Sequence, residues 1–161
     1  MAKRYKIYLD VCCLNRPFDD WLQDRVRIEG EAVMSILKNV QERNWQLVSS
    51  EAIEAELKRL PDPDKLASIS ALLLLANDSV AIDNVVDQRS KVLEQLGFGL
   101  YDAFHIACAE SAQVDSLLTT DDRLIRRVSR YRQQIHVLID NPVSWYMKVL
   151  QTEGNPDENA N

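Results

Sequence analysis

Four acidic residues sit where separate segments of the chain meet their neighbours: Asp10, Glu56, Asp102 and Asp121. Asp10 closes the apolar run Tyr5-Lys6-Ile7-Tyr8-Leu9, and Asp121 follows Ser116-Leu117-Leu118-Thr119. Glu56 and Asp102 lie in short helical patterns between those runs. In an alternating strand–helix chain, acids at strand ends gather at the carboxyl edge of a parallel sheet. Such a cluster is costly without a counter-charge. A hard divalent cation satisfies it, and Mg²⁺ or Mn²⁺ held by carboxylates points to phosphate chemistry.

The elements that must position these acids are legible as alternating patterns. Residues 5–9 read as a buried strand, and 21–43 as a long helix with Val33, Ile36, Leu37 and Val40 on one face. Gln46-Leu47-Val48 predicts a second strand, and Ser49/Ser50 open a helix with Ile53, Leu57 and Leu60. Asp62 caps and Pro63 begins the next helix. Val80-Ala81-Ile82 predicts a third strand, and a helix with Val86, Leu93 and Leu96 stops near Gly97. Residues 101–112 are mostly small or apolar, which predicts a buried, closely packed helix. Residues 116–119 and 135–139 give the last two strands, with a helix after Asp121 and another opened by Asn141-Pro142. This order predicts a three-layer α/β/α sandwich around a mostly parallel sheet. The domain spans 1–150, and the polar residues 151–161 read as a disordered tail.

The 161 residues suffice for one domain with a full core, and 46% hydrophobic with 27% charged is an ordinary globular balance. No apolar run reaches the roughly 20 residues of a membrane span, and the opening residues lack a secretory core, so the cytoplasm is the expected compartment. Cys12, Cys13 and Cys108 are odd in number, which argues against a disulfide framework. With only His105 and His136 at irregular spacing, they do not form a zinc pattern and read as small buried residues. The net charge of −6 argues against a general nucleic-acid coat protein. It is compatible with a nuclease whose acids hold metal.

In order and spacing these segments resemble the PIN domain, the metal-dependent nuclease fold of the VapC-type toxins. The likeness runs from about Lys6 to Trp145. It is carried by Ile7-Tyr8-Leu9-Asp10, by Ser50 with Glu56-Leu57 six residues on, by Asp102-Ala103 opening a run of small residues, and by Thr119-Thr120-Asp121 after a strand. The resemblance implies that Asp10, Glu56, Asp102 and Asp121 bind Mg²⁺ or Mn²⁺, with Thr119 supporting the site. It implies cleavage of RNA by metal-activated water, a small antitoxin as partner, and a homodimer. Two registers stay open: Glu54 against Glu56, and Asp122 against Asp121. Asp121 is preferred because Leu124 then fills the hydrophobic place three residues later.

Further residues admit two readings. Arg16, after Asn15 and before Pro17, could meet a phosphate at the site mouth or belong to an ordinary turn. Arg123, Arg126, Arg127, Arg130 and Arg132 could track an RNA backbone beside Asp121 or form a solvated face. His105, one turn after Asp102, reads as a core histidine before a catalytic one. A dehalogenase-type phosphatase would want an Asp at position 12, which is Cys; a receiver domain would want an acidic pair beside Asp10. The remaining rival is a non-catalytic PIN-like module that binds nucleic acid or protein.

Overall fold

The structure, a computed structural model, describes residues 3–154. Five parallel strands, β1 (Lys6–Leu9), β2 (Gln46–Ser50), β3 (Asp78–Val80), β4 (Ser116–Leu118) and β5 (Leu138–Asp140), form one sheet in the order β3-β2-β1-β4-β5. The chain builds outward from β1 to β3, then returns to add β4 on the other side. Strand order therefore reverses between β1 and β4, the place where such sheets open a crevice at their carboxyl ends. Ile7, Tyr8 and Leu9 are all buried, as expected of a central strand covered on both faces.

The helices are α1 (Val11–Asn15), α2 (Asp24–Gln41), α3 (Glu51–Leu57), α4 (Pro63–Leu73), α5 (Asn84–Gln95), α6 (Leu100–Ser111), α7 (Asp122–Arg130) and α8 (Pro142–Gly154). Helix α2 packs on α8, and α5 packs on α6. At one end of the core, Tyr5, Trp45 and Trp145 meet edge to face, with ring centroids 5.3–5.7 Å apart.

The sandwich expected from the sequence is present, with local shifts. Residues 10–20, assigned no element from the sequence, form α1 and a 3-10 turn at Arg16–Phe18. The third strand sits at 78–80 rather than 80–82. Its register is set by Asn77, whose N–H donates to the Leu47 carbonyl (2.8 Å) while its side-chain oxygen accepts from Leu47 N–H (2.9 Å). The last strand begins at Leu138 rather than Ile135. A 3-10 turn at Arg132–Gln134 precedes it, and the N–H of His136 is drawn to Glu110 (2.7 Å) instead of the ladder. Helix α8 continues through Gln151–Gly154, where the polar tail was expected to begin; residues 155–161 lie outside the described residues.

Gly97 ends α5 with φ at +99°, and a side chain there would meet the Arg127 guanidinium. Arg127 can swing away; the backbone angle cannot change without moving the loop into α6. Replacing Gly97 by Ala is expected to lower stability by about 1–2 kcal/mol, measured by urea unfolding.

Candidate metal centre

Each of the four acids is placed by the end of an element. The Asp10 N–H donates to the Leu118 carbonyl (3.2 Å), which ties the end of β1 to the end of β4. Its carboxylate caps α1 by accepting from Cys13 N–H (3.0 Å), and it also accepts from the Cys12 thiol (2.8 Å). Asp121 caps α7 by accepting from the N–H of Arg123 (2.9 Å) and Leu124 (3.4 Å). Thr119 is fully buried, and its hydroxyl accepts from Asp121 N–H (3.1 Å), which holds the loop between β4 and α7. Asp102 sits in the first turn of α6 above Gly99. Glu56 lies half-buried on α3, which Ser50 opens by accepting from Ile53 N–H (3.1 Å).

Asp102 is the electrostatic centre. Its pKa is pushed up to about 6, by burial first and then by the negative charges of Asp10, Asp121 and Glu56, with His105 opposing. Burial also pushes the Asp10 carboxyl well above the usual carboxylate range. Among the described residues, none of the four acids is ion-paired to Lys or Arg; Glu56 meets only His105. A buried carboxyl whose pKa is raised by neighbouring acids, without a protein cation beside it, suits a hard divalent ion. Among the described residues, the side chains whose ligand atoms all lie within 4.8 Å of one another are Asp10, Cys12 and Cys13; Glu56, Asp102 and Asp121 are not in that group. Both thiols are engaged, however: Cys12 with Asp10, and Cys13 as donor to the Leu118 carbonyl (3.3 Å). The four acids offer only oxygen, which suits Mg²⁺ or Mn²⁺; Cys12, whose pKa is lowered to about 6 chiefly by its hydrogen bond with Cys13, stands beside Asp10 as a sulfur ligand.

The alternative registers separate physically. Glu54 is exposed and lines a cavity of about 620 Å³ with Lys58, Ser70 and Asn77, whereas the charge of Glu56 bears on Asp102. Asp122 is closed by Arg25, whose Nη1 and Nη2 donate to its two oxygens at 2.8 Å each. Arg16 faces acids of its own chain: its Nε donates to Glu29 (2.9 Å) and its Nη1 to Asp19 (2.9 Å). Of the α7 arginines, Arg123 and Arg126 are exposed, while Arg127 is half-buried against Gly97.

Sequence reading missed the depth of two roles. Cys12, expected to be a small core residue, is half-buried and donates to Asp10. His105, expected to be core, is indeed buried, but its Nε2 reaches Glu56 Oε1 at 3.3 Å. Its spacing of one helical turn from Asp102 was the available signal.

The fold defines a class: a parallel α/β domain with Asp10 and Asp121 beside the switch point of its sheet. The chain belongs to the PIN domain family, whose model matches residues 7–131. No curated protein sequence matches the chain. Among solved structures it is similar to VapBC2 from Rickettsia felis bound to a DNA fragment from its promoter. The TM-score is 0.53 and the identity 14%, covering 84% of this chain and 98% of that one. It is also similar to VapBC-1 from nontypeable Haemophilus influenzae, with a TM-score of 0.51 and 16% identity over 85% of this chain and 98% of the other.

The raised pKa of Asp102 has a consequence for stability in metal-free buffer. A carboxyl that binds its proton more tightly when folded destabilises the fold once ionised. That cost is absent below about pH 4, near the unfolded value, and fully present above about pH 6. Asp102→Asn should therefore melt higher than the parent at pH 7, by on the order of a few degrees. The gain should fade as pH falls from 6 to 4, which thermal melts in EDTA would show. A difference that does not vary with pH would contradict the electrostatic reading.

Proposed function

We propose that this chain is a Mg²⁺- or Mn²⁺-dependent endoribonuclease that acts as the toxin of a toxin–antitoxin pair. What supports this reading is that the charges of Asp10, Asp121 and Glu56 all bear on Asp102, while among the described residues none of the four is ion-paired to Lys or Arg. Family membership supports nuclease chemistry, since PIN proteins are in general nucleases. The two VapBC structures support a small antitoxin as partner.

Asp10, Glu56, Asp102 and Asp121 would hold the cation. When bound, a divalent cation polarises the scissile phosphate and lowers the pKa of a water. The protein contributes placement. Asp10 and Asp121 are fixed as helix caps at strand ends, and Thr119 steadies the loop that carries Asp121. Donors held by element ends need little reorganisation when substrate arrives. Hydrolysis proceeds by water attack, with no covalent enzyme intermediate. Arg123 and Arg126, on the exposed side of α7 next to Asp121, would guide the RNA backbone toward the carboxylates. The resemblance to dimeric family members supports a homodimer. An RNA substrate fits work in the cytoplasm, and no described helix is long and apolar enough to cross a membrane.

The direct test is cleavage of single-stranded RNA in Mg²⁺ or Mn²⁺. Asp10→Asn and Asp102→Asn should each abolish cleavage while leaving a cooperative thermal transition. Cleavage retained in both variants would remove the assignment; a wild type that binds RNA without cutting it would favour the non-catalytic module.

Metal binding should also stabilise the native state. At a concentration 100 times Kd the gain is about 2.7 kcal/mol, roughly 5–10 °C for a chain of this size. The shift should be absent in Asp10→Asn, as read by thermal melts with and without Mn²⁺.

Arg123→Ala/Arg126→Ala should weaken RNA binding with little regard to sequence. The slope of log K against log salt should become shallower by about 0.7 for each lost phosphate contact. An unchanged slope would make these residues a solvated helix face.

A further inference from the structure

Beneath the carboxylates lies a closed line of polar groups that the metal-site reading does not use. Tyr8 is the polar-tipped residue of the central strand and is fully buried. Its hydroxyl lies 2.6 Å from Ser50 Oγ on one side and 2.6 Å from His105 Nδ1 on the other. Ser50 is also fully buried, and His105 is 2% exposed. The far side of the imidazole faces the site, with Nε2 3.3 Å from Glu56 Oε1. Among the described residues, no other donor hydrogen-bonds the Glu56 carboxylate.

The donor inventory gives this line a direction. Ser50 Oγ accepts from Ile53 N–H (3.1 Å), and its hydroxyl can donate to Tyr8. The Tyr8 oxygen can accept that proton and give its own to His105 Nδ1. A tyrosine hydroxyl carries its proton at neutral pH and can donate it. With Nδ1 occupied as an acceptor, the neutral ring carries its proton on Nε2. The opposite tautomer would set a nitrogen lone pair against the Glu56 carboxylate and leave that oxygen unbonded.

We propose that His105 is a positioning residue for Glu56: Ser50 orients Tyr8, Tyr8 fixes the imidazole with its proton on Nε2, and that N–H holds one carboxylate oxygen so the other is presented to the metal. The inference rests on Glu56 being a ligand of the proposed centre. Glu56 needs such a hold more than its three companions do. Asp10 and Asp121 are pinned by backbone amides as helix caps, and Asp102 is a short side chain on a buried helix. Glu56 has a longer, more mobile side chain that is 27% exposed, on a helix of seven residues. Donors behind metal-ligating carboxylates typically matter by about 10–100-fold in affinity or activity.

The test begins in metal-free protein. The chain has two histidines, so His136→Gln assigns the imidazole ¹⁵N signals of His105. The expected signature is an unprotonated Nδ1, and a protonated Nε2 whose proton exchanges slowly with solvent and shifts in Glu56→Gln. Tyr8→Phe should convert the ring to a mixture of tautomers. A ring protonated on Nδ1 in the wild type would overturn the proposal, as would a Tyr8→Phe variant with unaltered ring signals. With Mn²⁺ and an RNA oligonucleotide, Tyr8→Phe and His105→Leu should lower kcat about 10–100-fold, raise the Mn²⁺ concentration for half effect, and leave KM for RNA unchanged. His105→Gln keeps an N–H near the position of Nε2 and should recover much of that loss. Equal loss in Gln and Leu variants, both cooperatively folded, would leave His105 as packing only and overturn the assignment. A wild type that cuts no RNA defeats the nuclease reading, while the ring signals and their response to Glu56→Gln still decide the role of His105.

Discussion

Through one hydrogen bond, from the Asp10 amide to the Leu118 carbonyl, the carboxyl end of β1 is tied to that of β4. These two strands are adjacent in space but separated by over a hundred residues of chain, because β2 and β3 were laid down on the far side first. Every other placement in the site depends on this adjacency. It brings the N-termini of α1 and α7 to the carboxyl edge of the sheet, and both helices take an aspartate as cap. A helix N-terminus favours negative charge. The same residue thus serves the local need of its helix and the collective chemistry of the crevice. That double use explains how Asp10 and Asp121 can be held without lysine or arginine.

The distribution of counter-charge follows the same logic. Arginines do stand near the crevice, but the fold commits them elsewhere. Glu29 is 2% exposed on α2 and accepts from Arg16, Arg25 and Asn141, which joins the turn after α1, α2 and the start of α8. Arg25 continues to Asp122 and to the Thr120 carbonyl (3.2 Å). A buried acid with several donors is well satisfied, and losing both guanidinium partners would leave its charge unpaired. The network braces the loop that carries Asp121 while keeping both guanidinium groups off the four carboxylates. Two neighbouring acids in sequence, Asp121 and Asp122, therefore have opposite fates, one structural and one left to the crevice.

Much of this was legible in the sequence, for identifiable reasons. The strand–helix alternation has strong periodicity, and Asp10 and Asp121 stand directly at the ends of apolar runs, so their convergence follows from parallel topology alone. What was illegible depended on partners far along the chain. The pairing of Arg16 with Glu29 is one such case, because an interior glutamate of a charged helix carries no mark of burial. The choice between Asp121 and Asp122 turns on Arg25, roughly a hundred residues away. Residues 135–137 have the composition of a strand, yet side-chain and loop bonds claim them before the ladder begins. Local pattern registers burial well; it does not register which buried polar group will find which partner.

His105 shows how close those two kinds of information lie. Helix α6 is built of small residues at Ala103, Ala107 and Ala109, all buried, and this lets it pack on β2, β4 and α3. A close approach of that kind usually serves packing alone. Here it brings an imidazole between a tyrosine of the central strand and a glutamate of the neighbouring helix, with ring centroids of Tyr8 and His105 5.6 Å apart. The buried hydroxyl of Tyr8 would be costly without partners on both sides. Ser50 and His105 supply them, so the polar line stabilises the core at the same time as it points an N–H at the crevice. A residue can thus be a core histidine by burial and a site histidine by direction. Reading it as only one of these follows from treating the core and the site as separate regions, which in this fold they are not.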